Sequence, residues 1–248
     1  MTVAAIAGTD VVSRVLRLAE TTQGPHYAVF DADGCLWKPD CMELVINYVA
    51  ATNENYVADF HRYYNLLESG QTREAYRLAP GMLSGMTEAR VRALVREALD
   101  HEDRDIGTQT IDGRTVARGL ALKQNVVDIM LNLQRANVAV WVVSASPEIV
   151  VCETMSYFGI STGGRVIGLR NILRDGMLTA DLKEPLSIYD GKRACILKYI
   201  HPTIPPLLGV GDSGNDEVML EYSHVQLVVD RGNSLAAKAR ERNWFIIQ

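Results

Sequence analysis

Two carboxylates, Asp31 and Asp33, stand one residue apart at the end of the apolar run Ala28-Val29-Phe30. Alternate residues of a strand share a face, so both acids would point the same way, and Gly34 lets the chain turn directly after them. Adjacent like charges repel, so such a pair is tolerable where a cation or a proton sits between them. The bland alternative is a strand ending in a turn, where Asp and Gly are common. Two further polar groups follow apolar runs: Ser144 after 138–143, and Asp212 with Asp216 after 207–210. In an open parallel sheet, ligands bind at the carboxyl ends of strands, so the three groups would meet in one crevice.

The third group lies in Leu208-Gly209-Val210-Gly211-Asp212-Ser213-Gly214-Asn215-Asp216. Backbone amides of a glycine-rich turn and a new helix start could receive phosphate, and the carboxylates suggest a cation. The same glycines also match G-x-G-x-x-G, with Asp230 about 20 residues on, which is the spacing of a dinucleotide-binding oxidoreductase. Against that reading, Asp212 would face an anionic pyrophosphate, and too little chain follows Asp230 to complete such a fold. A catalytically silent phosphate-binding module is the other alternative class.

The elements that would position these groups alternate strand and helix, which predicts an α/β fold with a doubly wound, mostly parallel sheet. Asp10 is placed to cap a helix with the stripe Val12, Val15, Leu16 and Ala19, ended by Gly24-Pro25. Residues 38–119 show no convincing strand but several helical stripes, among them Met42, Val45, Ile46, Val49 and Val91, Leu94, Val95, Ala98. They read as a helical insert, leaving 1–37 and 120–248 as the core. A helix with Val126, Ile129, Met130 and Leu133 precedes the buried strand 138–143, which ends at Ser144. Segments 165–169 and 177–180 flank Arg174-Asp175-Gly176 and read as a hairpin. Strands are expected at 207–210, 225–229 and 244–247.

Composition excludes several classes. Twenty-five basic against thirty acidic residues give a net charge of −5, with no electrostatic footprint for nucleic acid or an anionic membrane. The most basic stretch, 231–242, reads as a solvated helix face. No apolar run approaches the roughly 20 residues that cross a bilayer, and the start lacks the pattern of a secretory leader. Cys35, Cys41, Cys152 and Cys195 form no C-x-x-C pair and read as reduced thiols, which suits a cytoplasmic protein.

Taken together, the motifs resemble those of the haloacid dehalogenase superfamily, in the phosphoserine-phosphatase-like branch whose helical C1 cap follows the first motif (subfamily IB). Asp31 and Asp33 match its D-x-D motif, Ser144 its Ser/Thr motif and Asp190-Gly191-Lys192-Arg193 its lysine motif, with Lys123 and Lys183 as rivals for Lys192. Asp212 and Asp216 match the fourth motif. The resemblance implies a phosphomonoester hydrolase in which Asp31 attacks phosphorus and Asp33 serves as acid and then base. It implies Mg2+ held by Asp31, Asp212 and the Asp33 backbone carbonyl, with Asp216 close by, and phosphate bound by Ser144, Ala145, Lys192 and Asn215. Family members acting on halides lack the second acid, so Asp33 favours a phosphate ester.

The substrate is less legible. Leu36-Trp37 and Trp141 to Glu148 are similar to the runs of phosphorylcholine phosphatases, and Trp37, Glu43 and Tyr63 are candidate substrate contacts for a choline-like group. Tyr48, Tyr56, Tyr63, Tyr64, Tyr76 and Phe60 would form either an aromatic wall or the core of the insert. Phosphoserine phosphatases carry a Glu shortly after the first motif and a cap Arg. Asp40 and Glu43, with Arg62, Arg73 and Arg77, stand near those places without matching cleanly. The expected partner is a small phosphate ester, with neither nucleic acid nor membrane involved.

Overall fold

The computed structural model of the chain describes residues 8–102 and 106–248. A six-stranded sheet has the order Phe245–Ile247, Val225–Val229, Leu208–Gly211, Tyr27–Phe30, Ala139–Pro147, Val166–Leu169. Pairing is parallel from Phe245–Ile247 across to Ala139–Pro147, as in the expected doubly wound architecture. Strands covered on both faces must be apolar throughout rather than alternating. Tyr27–Phe30 and Leu208–Gly211 accordingly are buried at every position.

Phe30 sits between Val210 and Val142. From Tyr27–Phe30 the sheet grows outward through Ala139–Pro147 and Val166–Leu169, and the chain then returns to the opposite side at Leu208–Gly211. The order therefore reverses between Tyr27–Phe30 and Leu208–Gly211, the kind of point where open α/β sheets bind ligands. Asp31 and Asp212 are the next residues after those two strands, and the Asp31 amide donates to the Val210 carbonyl at 2.9 Å.

The chain divides into two compact units. The first contains the chain up to Leu36, Leu122–Val143 and Ser187–Gln248; the second contains Trp37–Ala121 and also Ser144–Leu186. In the first, the helix Gln124–Arg135 buries Val126, Ile129, Met130 and Leu133, each worth about 1.5–3 kcal/mol of removed apolar surface. In the second, the helix Cys41–Thr52 buries Met42, Val45, Ile46 and Val49, and the helix Glu88–His101 buries Val91, Leu94, Val95 and Ala98.

Four sequence expectations are corrected. The first helix spans Gly8–Thr21, so Asp10 lies within its first turn rather than capping it. The hairpin pairs Asn171–Arg174, not 165–169, with Met177–Leu182, because Val166–Leu169 joins the central sheet. The buried strand continues past Ser144 to Pro147. Residues 38–119 are not wholly helical, since Gly107–Ile111 and Arg114–Arg118 form an antiparallel hairpin around Asp112 at φ 44°. Only Ile111 and Val116 of its strands are buried and most of the rest are polar, which erases the alternation that reveals a strand. The Asp112-Gly113 pair was the available signal. No helix among the described residues is long and apolar enough to cross a membrane; residues 1–7, on which the reading of the leader rests, lie outside them.

Candidate active site

After Tyr27–Phe30 the chain folds back at once: the amides of Cys35 and Leu36 both donate to the Ala32 carbonyl, at 3.2 and 2.7 Å. Gly34 has φ 76°, and a Cβ built there would lie 2.0 Å from Asp212 Oδ2. Only glycine therefore lets this turn and the Asp212 loop approach so closely. Asp31 is buried and Asp33 half-buried.

Lys192 enters from the helix Asp190–Tyr199. The preceding Tyr189 has φ 49°, a conformation costly for a bulky residue, and its amide is held by Asn215 Oδ1 at 2.6 Å. This clamp starts the helix where Lys192, with no exposed surface, can reach inward. Its Nζ donates to Asp31 Oδ1 at 2.7 Å and to Asp216 Oδ1 at 2.6 Å. Burial alone would push the ammonium down, but the carboxylates of Asp216 and Asp31 outweigh it and hold Lys192 above its ordinary value. Asp31 is driven the opposite way for a carboxylate: burial, then repulsion from Asp216, raises it well above its usual range against the pull of Lys192.

Asp216 is fully committed. Its Oδ1 accepts from Lys192, and its Oδ2 accepts from the amides of Asp212 and Ser213 at 3.0 and 3.2 Å and from the Ser213 hydroxyl at 3.4 Å. Asp216, which the resemblance sets beside the metal ligands, braces Lys192 and the 212–213 backbone. Gly211 has an equally local reason, since a Cβ there would lie 2.4 Å from Asp216 Cβ. Of the glycines that resemble a dinucleotide motif, Gly211 thus makes room for Asp216 and Gly209 for Ser223, and Asp230 is occupied by the Gly232 amide and by Arg240. Gly211→Ala is expected to displace Asp216, costing about 1–3 kcal/mol in urea denaturation and loosening Lys192; an unchanged midpoint would contradict this packing.

Sequence reasoning missed Arg231, read only as part of a solvated basic face. Its Nη1 donates to Asp212 Oδ2 at 2.6 Å, while Asn233 Nδ2 donates to the Asp212 carbonyl at 2.7 Å. Burial and repulsion from Asp216 push Asp212 up to about 6, opposed by Arg231. No local spacing flags this pair; it is a tertiary contact between loops following neighbouring strands. Lys238 and Arg242, by contrast, do pair with surface acids, Glu217 and Glu221.

As a test of fit for a cation, oxygens of Asp31 and Asp212 and the Cys35 sulfur all lie within 4.8 Å of one another. The two carboxylates suit a hard ion such as Mg2+. The thiol, pushed up by burial and by Asp212 and Asp31, does not.

Residues 28–221 match the family described as haloacid dehalogenase-like hydrolase. The chain belongs to that family. A protein of unknown function from Bordetella pertussis Tohama I has a similar fold at 19% identity and TM-score 0.72, with 91% of this chain and 99% of that one covered. The phospho-aspartyl intermediate analogue of a phosphoserine phosphatase is similar at 17% identity and TM-score 0.53, covering 84% and 87%. Cytosolic 5'-nucleotidase IIIB bound to cytidine is similar at 15% and 0.61, covering 96% and 83%. No curated protein matches the chain.

The haloacid dehalogenase-like hydrolase carries its remaining candidates on the second unit. Ser144 is buried, and its Oγ accepts from the Ser146 amide at 3.1 Å; Ala145 is half-buried beside it. Asp40 caps the helix Cys41–Thr52 by accepting from the amides of Met42 and Glu43, a structural role. Trp37 is wholly buried, and Tyr63 is 1% exposed. Phe60, Tyr63 and Tyr64 pack edge to face with centroids 5.1–5.3 Å apart, so this cluster builds the unit's core. Polar groups run through that core: Tyr64 donates to Asn47 Oδ1 at 2.9 Å, and Tyr63 reaches Glu43 Oε1 at 3.5 Å.

Proposed function

We propose that this hydrolase is a Mg2+-dependent phosphomonoesterase acting on a small phosphorylated metabolite through an aspartyl-phosphate. The observation that carries the reading is Lys192, fully buried and bonded to both Asp31 and Asp216 beside Asp212. A buried cation among three acids neutralises the charge that phosphoryl transfer concentrates there. Asp31 forms a bond to phosphorus as the ester P–O bond breaks, and Asp33 gives its proton to the leaving alkoxide. Asp33 then takes a proton from water, whose oxygen attacks phosphorus and releases phosphate with Asp31 restored. Asp31, Asp212 and the Asp33 carbonyl would hold the ion, which supplies Lewis acidity toward the phosphoryl oxygens. Ser144, with the Ala145 amide, is assigned to phosphate, whereas Asn215 acts by fixing Tyr189.

The insert 38–119 is assigned the cap role and the choice of ester. The half-buried carboxylate of Glu43 favours a cationic group on the leaving alcohol, as in phosphocholine; phosphoserine, which also carries one, is the second reading. A phosphate-release screen over phosphocholine, phosphoserine, sugar phosphates and nucleotides tests both. Chelator-sensitive release from an ammonium-bearing ester is expected. Binding of phosphate without release from any ester would make the protein a silent binding module, and saturable nicotinamide binding would revive the oxidoreductase.

Asp212 also predicts a pH dependence. Its folded value, about 6, lies above its ordinary 3.8, so it favours the metal-free fold below the lower value and loses that contribution as pH rises through the higher one. Mg2+ must displace the same proton. The rise in melting temperature on adding Mg2+ is therefore expected to be larger above pH about 6 than below it, and Asp212→Asn should reduce the difference to the part that Asp31, also raised, supplies. A pH-independent increment would contradict Asp212 as a ligand.

A further inference from the structure

The third donor beside Asp31 and Asp212 has no place in a magnesium centre. Carboxylate oxygens suit Mg2+, whereas a thiolate selects thiophilic ions such as zinc or cadmium. The turn closed on the Ala32 carbonyl folds Cys35 back toward the carboxylates, until its sulfur and one oxygen each of Asp31 and Asp212 lie within 4.8 Å of one another. All three residues are buried. The Cys35 thiol makes no hydrogen bond with the described residues, although the acids around it are braced by Lys192 and Arg231. Ligands stand about 2.0–2.3 Å from a tetrahedral zinc ion, which sets neighbouring ligands roughly 3.3–3.8 Å apart. Side-chain rotations of about an ångström close this trio around one ion.

Competition within the site is modest. The Arg231 side chain that occupies Asp212 Oδ2 is 57% exposed, so it has room to swing into solvent once a bound cation takes over the compensation of the buried Asp212. Lys192 engages only one oxygen of Asp31. Cys41 forms a second trio with Asp33 and Asp40, but both of those acids are only half-buried, and Asp40 already caps a helix; Cys195 belongs to no trio among the described residues.

We propose that Cys35 makes the cation site of this hydrolase a capture site for thiophilic divalent ions, zinc above all, and that capture blocks turnover. The proposal rests on Asp31 and Asp212 being the cation-binding pair. Capture forms a sulfur–metal bond and releases the thiol proton to solvent, with no change of oxidation state. It would also tie up Asp31, the nucleophile, which is how a bound ion stops the reaction.

The test is zinc X-ray absorption on the full chain with one equivalent of zinc and no magnesium. One sulfur at about 2.3 Å with oxygen neighbours is expected. The sulfur should disappear in Cys35→Ser, with zinc bound at least about tenfold more weakly, and persist in Cys41→Ser, Cys152→Ser and Cys195→Ser. Cys35→Ala substitutes if the Ser variant does not fold. A wild-type spectrum without sulfur, or a Cys35 variant that keeps it, overturns the proposal. In the turnover arm, the zinc-to-magnesium ratio that halves phosphate release should rise at least about tenfold in the Cys35 variant; an unchanged ratio removes the inhibitory half. Because the spectrum requires no turnover, a protein that releases phosphate from no ester overturns the proposed function while the zinc ligation is decided separately.

Discussion

Asp31→Asn is expected to lower phosphate release by a factor on the order of 10⁴ or more, with no loss of thermal stability. An amide oxygen is a poor nucleophile, so the covalent step fails even though the shape of the side chain is kept. Stability follows from the electrostatics of the site. Burial first, and Asp216 second, raise Asp31 well above the carboxylate range, so the folded protein at neutral pH bears a cost for keeping it charged. The neutral isostere removes that cost and one of the two partners of Lys192, which keeps its bond to Asp216. A melting temperature equal to or above wild type is the expected result, the pattern of a site that sacrifices stability for activity. Substantial residual hydrolysis would remove Asp31 as nucleophile, and a large drop in melting temperature would make its role structural.

Lys192→Met should lose both activity and stability. It is the counter-charge of two buried carboxylates, Asp31 and Asp216, at 2.7 and 2.6 Å. Removing one partner of a buried ion pair leaves uncompensated charge, typically at a cost of 3–5 kcal/mol. Urea denaturation at neutral pH should show a loss of about that size. Adding Asp216→Asn should recover part of it, since one fewer acid is then left unpaired. Strict additivity of the two substitutions would mean that the contacts do not couple energetically. The contrast with Asp31→Asn matters: both residues would silence the enzyme, but only the lysine holds the site together.

The order of elements was legible because buried parallel strands are written as unbroken apolar runs. Tyr27–Phe30 and Leu208–Gly211 could be found that way, Val225–Val229 too despite Gln226, as could the helices whose stripes recur every three or four residues. The hairpin Gly107–Ile111 with Arg114–Arg118 could not, because its mostly polar strands bury only Ile111 and Val116, too few to make a pattern. The partner of Met177–Leu182 was misplaced for a related reason: 165–169 and 171–174 are both short and β-prone, and only the central sheet decides which one it claims.

By itself the sequence determined which residue types accompany which elements: acids after Tyr27–Phe30, Ser144 in the strand Ala139–Pro147, a glycine-rich acidic turn after Leu208–Gly211, and a lysine at a helix start. Those are properties of local pattern, and the family follows from their order. Tertiary structure alone decided what each acid touches. Asp216 braces the site because Lys192 and the 212–213 amides engage both of its oxygens. Arg231 joined the site because its loop follows the strand beside Leu208–Gly211. Cys35 came to face two carboxylates because Gly34 admits Asp212 where no side chain would fit. Charge and hydrogen-bond commitments are set by distances of a few ångströms between segments far apart in the chain, and no spacing along the sequence records them.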